Sequence, residues 1–543
     1  MAARKTAIRD RVSLLREETA YDGIGPRSGE LAVALAYPNR YQVGMSNLGF
    51  QTILGRIRKG GPFAAERVFL PEADAGPLRT FESGKPAGGS DVLAFSVSFE
   101  NDYVNFIRML RAARIPLFRE ERGDRHPIVV AGGACTFLNP EPLRPFVDVF
   151  LLGEGEEIIL EYLRLRLDDL GTSRARHLER AAGIEGAYVP AVHPLSGDLP
   201  RRIYGELPGD PAVSRILTPH AEFAGTLLIE ISRGCPRRCR FCTVGTAFPK
   251  FRMVPAAAVL AAAERFREED ERLGRPALAK VGLVTAAFFD HREAEEAAVG
   301  LVRRGYLVTA SSVRVDQLTE PVLESLRRSG LRTLTIAPEA GTEELRARIG
   351  KEAGDEVILS GVERAGRAGF RNLRVYFMVG LPFETEEDRE GIACLAAEIR
   401  RRFSGAGSKR GTVTISLHPF VPKPRTPFQW SPMSRPEEMK EMLRSMRRRL
   451  AGFAVKAPDL REVYTEGILA LGGEELAPLL VRLADGERWD RAARGAGLDL
   501  DRLLFDERPP GEKAPWEGTV PSEREKRIRR EWERASAGGR ERA

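Results

Sequence analysis

Short apolar runs alternate with amphipathic segments between residues 26 and 170. The apolar runs, which predict β-strands, are LAVALAY (31–37), VLAFSVS (92–98), PIVVAGG (127–133) and VDVFLLG (147–153). Helical periodicity lies between them, at 46–59, 101–113 and 154–167. Strands separated by helices at this spacing predict an open parallel sheet with helices on both faces. We therefore predict a Rossmann-like α/β domain over 26–170.

The alternation restarts near residue 226 with a more regular rhythm. Six strands are predicted, at 227–232, 280–286, 306–312, 331–337, 372–379 and 411–417. Helical patterns separate them, at 255–274, 292–304, 319–329, 342–369 and 385–402. Six repeats of this kind predict a partial TIM-type (β/α)6 barrel over 221–430, with its active residues on loops at the carboxyl ends of the strands.

The remaining segments carry weaker patterns. Residues 1–25 predict a helical extension, and 171–220, which are richer in Pro, Gly and Arg, predict a linker. Residues 431–543 predict a helical C-terminal region. Its last helix, 521–534, mixes basic and acidic side chains and opens with a capping box, which is typical of a solvated terminal helix.

Composition excludes some classes of protein. Apolar residues make up 43% and charged residues 30%, which is too apolar for a disordered chain. The net charge of +7 permits contact with nucleic acid without requiring it. No apolar run approaches the roughly 20 residues of a membrane-spanning helix. The absence of a signal-peptide pattern, with an odd number of cysteines, indicates a reducing compartment such as the cytoplasm.

Three of the five cysteines lie on one short segment directly after the first predicted barrel strand. Cys235, Cys239 and Cys242 have the spacing C-x3-C-x2-C. Thiolates select zinc or iron–sulfur clusters. Structural zinc needs four protein ligands, and neither Cys135 nor Cys394 has a neighbouring cysteine, although a zinc knuckle with a remote fourth ligand remains the alternative. A [4Fe–4S] cluster with three thiolates keeps one iron open for a reactive ligand.

This motif, with Phe241 before its last cysteine and a six-fold βα barrel around it, resembles the radical S-adenosylmethionine (SAM) superfamily. The resemblance implies that the open iron binds the amino and carboxylate groups of SAM. One electron then cleaves SAM to methionine and a 5′-deoxyadenosyl radical, which abstracts hydrogen from a substrate. It also implies an electron donor such as flavodoxin or ferredoxin.

Later segments are similar to the SAM-binding elements of that superfamily. Ser312 and Arg314 follow the third strand, where the family places polar groups near SAM. Glu339 ends the fourth strand and would bind the ribose or amino group, unless it is simply an acid at a helix N-terminus. Val379 and Gly380 end the fifth strand and resemble the segment whose backbone pairs with adenine, unless they form an ordinary strand exit.

Of two segments at other barrel strands, one departs from the pattern of the superfamily and the other resembles part of it. Where many family members carry a Gly-Gly-Glu-like segment, this chain has Thr285-Ala-Ala-Phe-Phe-Asp290, without a carboxylate at the expected place. The Pro-rich segment that begins at His418 resembles one found in members with a cobalamin-type N-terminal domain. His418 itself is expected to be structural.

Segments 37–49, 131–136, 152–156 and 514–517 extend this resemblance to an uncharacterised family of radical SAM proteins with a B12-binding domain. The glycine loops at 132–133 and 153–155 suit a close approach to a large ligand. However, the D-x-H-x-x-G motif that supplies a cobalt ligand is absent. The domain therefore either binds cobalamin without that histidine or serves as a lid or docking surface. We expect Cys135 to be a buried thiol and Cys394 to lie in the core.

The function predicted first is reductive cleavage of SAM by a radical SAM enzyme of unknown substrate, with methyl transfer through cobalamin as one outcome. An alternative is methylthio transfer to RNA or protein. That chemistry needs a second cluster with three more cysteines in the N-terminal domain, which holds only Cys135. A different class is a non-catalytic iron–sulfur protein associated with RNA or the ribosome.

Overall fold

The computed structural model describes residues 10–25, 28–71, 76–193, 201–207, 209–310, 319–407, 411–510, 512–517 and 522–538. It confirms the predicted α/β class, with a mainly parallel sheet in the N-terminal half, two parallel sheets in the barrel half and helices at the C-terminal end. In the described residues, we find no helix with the length and apolar character needed to cross a membrane.

The N-terminal half contains one six-stranded sheet. Its helices are α1 (Arg11–Arg16), α2 (Tyr41–Met45), α3 (Leu48–Gly60), α4 (Asp102–Ala112), α5 (Ala134–Leu138), α6 (Gly155–Asp168) and α7 (Arg174–Ala181). Its strands are β1 (Thr19–Ala20), β2 (Leu31–Tyr37), β3 (Phe63–Phe69), β4 (Val92–Ser96), β5 (Ile128–Gly132), β6 (Val149–Leu151) and β7 (Ala187–Tyr188). The sheet order is β3-β2-β4-β5-β6-β7, in which only β7 is antiparallel to its neighbour, and β1 pairs with β8 outside this sheet.

Burial explains why β2 is so clearly encoded. Helices cover both faces of the sheet, so almost every side chain of Leu31–Tyr37 is buried and the strand is a continuous apolar run. The chain then enters α3 through Asn47, whose side chain accepts a hydrogen bond from the Phe50 amide at 2.8 Å. The strand order reverses between β2 and β4. In open sheets of this order, ligands bind at that reversal, outside the carboxyl ends of the strands.

The sequence pattern did not place several N-terminal elements, among them β3, α7 and β7. The edge strand β3 contains Arg67, which is 1% exposed and salt-bridged to Glu18 at 2.7 Å and Glu82 at 2.6 Å. A buried arginine breaks the apolar pattern that marks a strand. The segment predicted as a linker also contains α7 and β7, and β7 pairs with β6.

All six predicted barrel strands are present. The strands of this half are β8 (Ile216–Leu217), β9 (Leu227–Glu230), β10 (Ser232–Arg233), β11 (Arg252–Met253), β12 (Lys280–Val284), β13 (Leu307–Ala310), β14 (Thr333–Glu339), β15 (Asn372–Val379), β16 (Thr412–Pro419) and β17 (Ala454–Lys456). Seven of these strands form two parallel sheets, β9-β12-β13 and β14-β15-β16-β17. The strands β10 and β11 pair with each other, and β8 pairs with β1. The short strand β17 was not predicted. Residues 311–318, which include Ser312 and Arg314, lie outside the described residues.

The barrel helices follow the predicted order with one difference. They are α8 (Val244–Ala247), α9 (Ala256–Arg272), α10 (Ala294–Arg303), α11 (Glu320–Arg328), α12 (Glu343–Arg348), α13 (Asp355–Arg367) and α14 (Glu386–Gly405). The single helical pattern predicted over 342–369 is therefore two helices, α12 and α13, separated by a turn. Gly350 lies in this turn with φ of 72°.

The C-terminal helices pack against the rest of the chain. They are α15 (Pro436–Arg449), α16 (Leu460–Leu471), α17 (Ala477–Ala484), α18 (Trp489–Ala496), α19 (Leu500–Leu504) and α20 (Ser522–Ser536). Residues of α16 and α17, such as Ile468 and Leu480, share one hydrophobic core with Phe106 and Leu110 of α4. The C-terminal region therefore belongs to the same core as the N-terminal sheet.

Candidate functional site

The three clustered cysteines lie on a loop that is closed at its base. Strand β10 leads into the loop and β11 leads out of it, and the two strands pair antiparallel. Gly234 has φ of 88°, and a Cβ there would collide with the backbone of Lys250. Cys235, Cys239 and Cys242 follow, all partly buried. The loop therefore lies at the carboxyl end of β9, where the sequence predicts a site.

The thiols on this loop act on one another electrostatically. Burial, together with the nearby Cys239 and Cys235, raises the pKa of Cys242 to about 11, against the opposing effects of the Val244 backbone and Lys351. Thiols in this setting become thiolates when a metal supplies positive charge. In the described residues, no three His, Cys, Asp or Glu side chains form a site for a single metal ion. Three thiols are one ligand short of a structural zinc site, and they match the three irons of a [4Fe–4S] cluster whose fourth iron stays open.

The segment between α12 and α13 packs against the cysteine loop and accepts hydrogen bonds from it. The Arg240 amide donates to the Ile349 carbonyl at 2.9 Å, and its guanidinium donates to the Arg348 carbonyl at 2.7 Å. At Gly350, a Cβ would lie 2.6 Å from the Arg238 carbonyl oxygen, so only glycine permits this close approach. The helix break, which the sequence pattern did not predict, thus fixes the loop.

The same turn brings in Lys351, a site residue that sequence reasoning missed. Its ammonium lies 3.5 Å from the Glu339 carboxylate, and its charge also acts on Cys242. The only indication in the sequence was its position shortly after the Glu339 segment. Lys351 therefore connects the cysteine loop to the end of β14.

Glu339 lies at the carboxyl end of β14, as predicted. It adopts a left-handed backbone with φ of 73°, and the register between β14 and β15 shifts at this point. Such a backbone costs free energy in a residue with a Cβ and is frequent at functional sites. Burial raises the pKa of the Glu339 carboxyl, against the opposing effect of Lys351. Its contact with SAM stays a prediction.

The backbone groups at the end of β15 already have partners within the protein. The Gly380 amide donates to the Glu384 carboxylate at 2.9 Å, and the Val379 carbonyl accepts from the Phe420 amide at 2.9 Å. Gly380 has φ of 74°, which explains the glycine. Pairing of this segment with adenine stays a prediction. It would have to use backbone groups other than the Gly380 amide and the Val379 carbonyl.

Phe241 lies in a small apolar cluster with Phe420, Phe428 and Trp532. Trp532 belongs to α20, the helix predicted to be solvated. Two residues of α20, Ile528 and Ala535, are buried, and its Glu531 forms a salt bridge of 3.2 Å with Arg240. The last helix is therefore packed on the cysteine loop.

The segment that departs from the family pattern is tied to the same loop. Asp290 forms a salt bridge with Arg237 at 2.6 Å, and the Thr285 and Ser232 hydroxyls lie 2.5 Å apart. The nearest carboxylate of this segment thus pairs with an arginine of the cysteine loop. It stabilises the loop rather than replacing the missing Gly-Gly-Glu-like acid.

A cavity of about 410 Å³ lies between the N-terminal sheet and the cysteine loop. It extends along the carboxyl ends of β2, β4, β5 and β6, and so includes the point where the strand order reverses. Lining residues come from both halves: Asn47, Gly49, Ser98, Gly132, Gly133, Gly155, Ser232, Arg233, Gly234 and Thr285 are among them. Among its described lining residues there is no imidazole, thiol or thioether.

The glycine loops of the first domain have a structural task that the sequence did not indicate. A Cβ on Gly133 would collide with the backbone of Val97, and one on Gly153 with the backbone of Arg202. Both glycines line the cavity. Their close backbone approach is therefore to the protein itself, whatever the cavity binds.

The segment 152–156 also connects the two halves through charge. Buried Glu154 accepts from Arg252 at 2.5 Å, and Glu156 accepts from Arg233 at 2.6 Å. Arg233, which directly precedes the cysteine loop, also pairs with Glu230 at 2.7 Å. Burial would lower the pKa of Arg233, but hydrogen bonds and charge from Glu230 and Glu156 raise it. These contacts fix the cavity floor relative to the loop.

The two other cysteines lie apart from the loop. Cys135 is 4% exposed on α5, which confirms a buried thiol, and burial raises its pKa. Cys394 is exposed on α14, so the expected core position was wrong. A helix position facing solvent explains the difference. His418 is also exposed, with its ring 5.4 Å from that of Tyr376.

Two family profiles match the chain. "Radical SAM proteins, N-terminal" matches residues 49–190, and "Radical SAM superfamily" matches residues 229–396. An uncharacterised protein of Methanocaldococcus jannaschii is 28% identical over 456 residues, which cover 82% of this chain and 90% of that protein. The hopanoid C-3 methylase of Methylococcus capsulatus is 24% identical over 320 residues, 56% of each chain.

Among solved structures, the cobalamin-dependent SAM radical enzyme OxsB, with aqua-cobalamin and SAM bound, superposes with a TM-score of 0.48 and 16% identity. The match covers 67% of this chain and 52% of OxsB. The chain thus spans only about half of OxsB and of the hopanoid methylase. The cysteine loop and the two profiles, which together match more than half of the chain, show that the chain belongs to the radical SAM superfamily of enzymes, which use a [4Fe–4S] cluster and SAM.

Proposed function

We propose that the protein holds a [4Fe–4S] cluster on Cys235, Cys239 and Cys242 and cleaves SAM reductively. Cluster and SAM together supply a 5′-deoxyadenosyl radical that abstracts hydrogen from a substrate. The observation that carries the proposal is the placement of three cysteines, at C-x3-C-x2-C spacing, on one loop at the carboxyl end of β9. Membership in this enzyme superfamily argues against the non-catalytic alternative.

The chain's own residues hold the loop in place and set the charge around it. Lys351 brings a positive charge close to Cys242, which favours the thiolate. The Glu339 carboxylate faces Lys351 and would accept a hydrogen bond from the amino group or ribose of SAM. On the other side, the apolar cluster around Phe241 excludes water from the loop.

We further propose that the 410 Å³ cavity receives part of a cobalamin and that the reaction is a methyl transfer. Its volume is within the range of about 300–1,000 Å³ typical of cofactor sites. Its position at the strand-order reversal suits a large ligand facing the cysteine loop. A relative named as a methylase supports methyl transfer. Methylthio transfer is less well supported because residues 1–220 contain only Cys135.

We propose that a small acidic electron-transfer protein, such as flavodoxin or ferredoxin, docks on α20. This helix packs on the cysteine loop through Glu531 and Trp532. Its exposed side carries Arg527, Arg529 and Arg530, for which no salt bridge is found among the described residues. A basic surface this close to the loop would attract an acidic donor and shorten the path for the electron.

The central proposal is tested by replacing all three loop cysteines with alanine. Anaerobically reconstituted wild type should hold about four irons per chain and release 5′-deoxyadenosine when reduced with SAM. The triple variant should do neither, because no thiolate remains on the loop. A Cys394→Ser variant is the matched control and should behave as wild type. Zinc in place of iron, or a cluster in the triple variant, would contradict the proposal.

The cofactor proposal is tested separately. Protein loaded anaerobically with cobalamin should give a Co(II) electron paramagnetic resonance spectrum without nitrogen splitting from protein, because the described residues that line the cavity include no imidazole. Splitting that follows ¹⁵N labelling of histidine would contradict this. Failure to bind cobalamin would instead favour the lid or docking role of the domain.

A further inference from the structure

A second cavity, of about 680 Å³, lies beside the first and next to the cysteine loop. We call it the acidic chamber. Its walls come from all three parts of the chain, and its lining includes Phe99, Glu100, Asp102, Lys423, Glu462 and Glu466. Ser98 and Ala134 line both cavities, and Thr243 follows Cys242 directly. The chamber therefore lies where a substrate could reach the radical chemistry proposed above.

The chamber also connects with the barrel. Partial desolvation lowers the pKa of His418, whose side chain is otherwise exposed at the end of β16, and the charge of Glu466 opposes this effect. Glu466 itself belongs to α16 and lines the chamber. The last barrel strand is thus within electrostatic reach of the chamber wall.

The charges in the chamber do not balance. Four carboxylates line it, from Glu100, Asp102, Glu462 and Glu466, against one ammonium. That ammonium, Lys423, pairs with Glu100 and Glu466, each at 2.7 Å. Among the described residues Asp102 has no salt bridge, and Glu462 interacts electrostatically with the neighbouring Arg461. An anionic substrate would be repelled here, and a cationic one attracted.

Asp102 shows the imbalance most directly. It is 3% exposed, and its Oδ1 accepts from the Asn39 side chain at 2.8 Å. Its Oδ2 is buried without a hydrogen bond from any described residue. Burial raises the pKa of Asp102 to about 6, and the charge of Glu100 adds to this, against the opposing effects of the Asn39 and Asn105 side chains. A buried carboxylate oxygen without a donor is costly, and a ligand that brings a donor would remove that cost.

An aromatic side chain lies at the same wall. Phe99 is 58% exposed, which is unusual for a large apolar residue, and it precedes Glu100 on the loop after β4. The face of an exposed aromatic ring attracts cations at close range. Phe99 and Asp102 thus favour the same kind of ligand by different interactions.

We propose that the acidic chamber is the substrate site and that it recognises a cationic nitrogen group, an ammonium or a guanidinium, on the substrate. This inference rests on the proposed function, because it places the substrate beside the cysteine loop. Asp102 would accept a charge-assisted hydrogen bond from the cation, and Phe99 would cover it. Lys423 holds Glu100 and Glu466 in place through its two salt bridges, and its positive charge offsets part of the negative charge of the chamber.

The test uses agmatine, which carries both cationic groups, and glutarate, a dianion of similar length. Equilibrium dialysis with each radiolabelled probe measures binding to the reconstituted holoenzyme. Agmatine should bind and glutarate should not. Asp102→Asn should weaken agmatine binding about tenfold or more, because a hydrogen bond to a charged group contributes about 1.5–3 kcal/mol. Glu157→Gln, an exposed acid outside the chamber, is the matched control and should leave binding unchanged.

A second variant distinguishes loss of the cation site from misfolding of the Asp102→Asn protein. Phe99→Leu changes an exposed side chain and should weaken agmatine binding about two- to fivefold, as loss of an exposed cation–π contact predicts. Absence of agmatine binding, equal binding of glutarate, or wild-type affinity in both variants would overturn the inference. Binding does not depend on SAM cleavage. If agmatine binds as expected but no 5′-deoxyadenosine forms, the proposed function fails and the chamber remains a cation site.

Discussion

The salt bridge between Glu154 and Arg252 allows a quantitative test of how the two halves are held together. Glu154 is 2% exposed and its carboxylate accepts from Arg252 Nη2 at 2.5 Å and Nη1 at 2.9 Å. It also accepts from the Tyr204 amide at 2.7 Å. In Glu154→Gln, one carboxylate oxygen becomes an amide that cannot accept from the guanidinium. Arg252 is then left buried without a counter-charge.

Breaking a buried ion pair from one side costs about 3–5 kcal/mol. Arg233, the other arginine near Glu154, keeps its contacts with Glu230 and Glu156, so no second charge is left unpaired. We therefore expect the lower end, about 3 kcal/mol, for Glu154→Gln. Since 1.4 kcal/mol is a factor of ten, local opening should become about a hundredfold more frequent.

Native-state hydrogen exchange measures this opening directly. The amide of Tyr204 and those of β11 should exchange about a hundredfold faster in Glu154→Gln than in wild type. Glu157→Gln is the control, because Glu157 is exposed in α6, the helix whose N-cap residue is Glu154, and it should change the exchange rates little. The reasoning is refuted if the two variants exchange alike at these amides. Burial by itself would raise the pKa of Glu154, but the Arg252 hydrogen bond, the charges of Arg233 and Arg252 and the Tyr204 amide together lower it below the ordinary value of 4.5. Its stabilisation is therefore present above that value and lost as the pH falls through the folded-state pKa.

Three further predictions concern the cluster and its reduction. A Cys135→Ser, Cys394→Ser double variant should keep the visible absorbance of the cluster, because neither side chain lies on the loop; its loss would reveal a fourth protein ligand. Lys351→Met should reduce SAM affinity or cluster retention severalfold, since a positive charge beside the thiolates is removed, and iron content together with SAM titration separates these effects. An Arg527→Glu, Arg530→Glu variant should lose about tenfold in the rate of cluster reduction by flavodoxin, with less effect at high salt, while reduction by dithionite is unchanged; equal rates with flavodoxin would contradict docking on α20.

The elements that the sequence determined are those whose environment is uniform along the segment. Strand β2 is buried on both faces, so its apolar run 31–37 predicted Leu31–Tyr37 without error. The three loop cysteines are close in sequence, and any fold that starts the loop after β9 keeps them close in space. For this reason the cluster ligands could be proposed from spacing alone.

Tertiary structure decided what depends on partners distant in the chain. Arg67 interrupts the apolar pattern of β3, so the sequence did not predict this strand. The salt bridges of Arg67 with Glu18 and Glu82 explain why an arginine is buried there. Likewise, a single helical pattern was broken at Gly350 by the approach of the cysteine loop, and this placed Lys351 at the site. The acidic chamber needed all three parts of the chain. Local patterning records how a segment meets water or core, whereas a paired charge or a shared cavity exists only after distant segments have packed together.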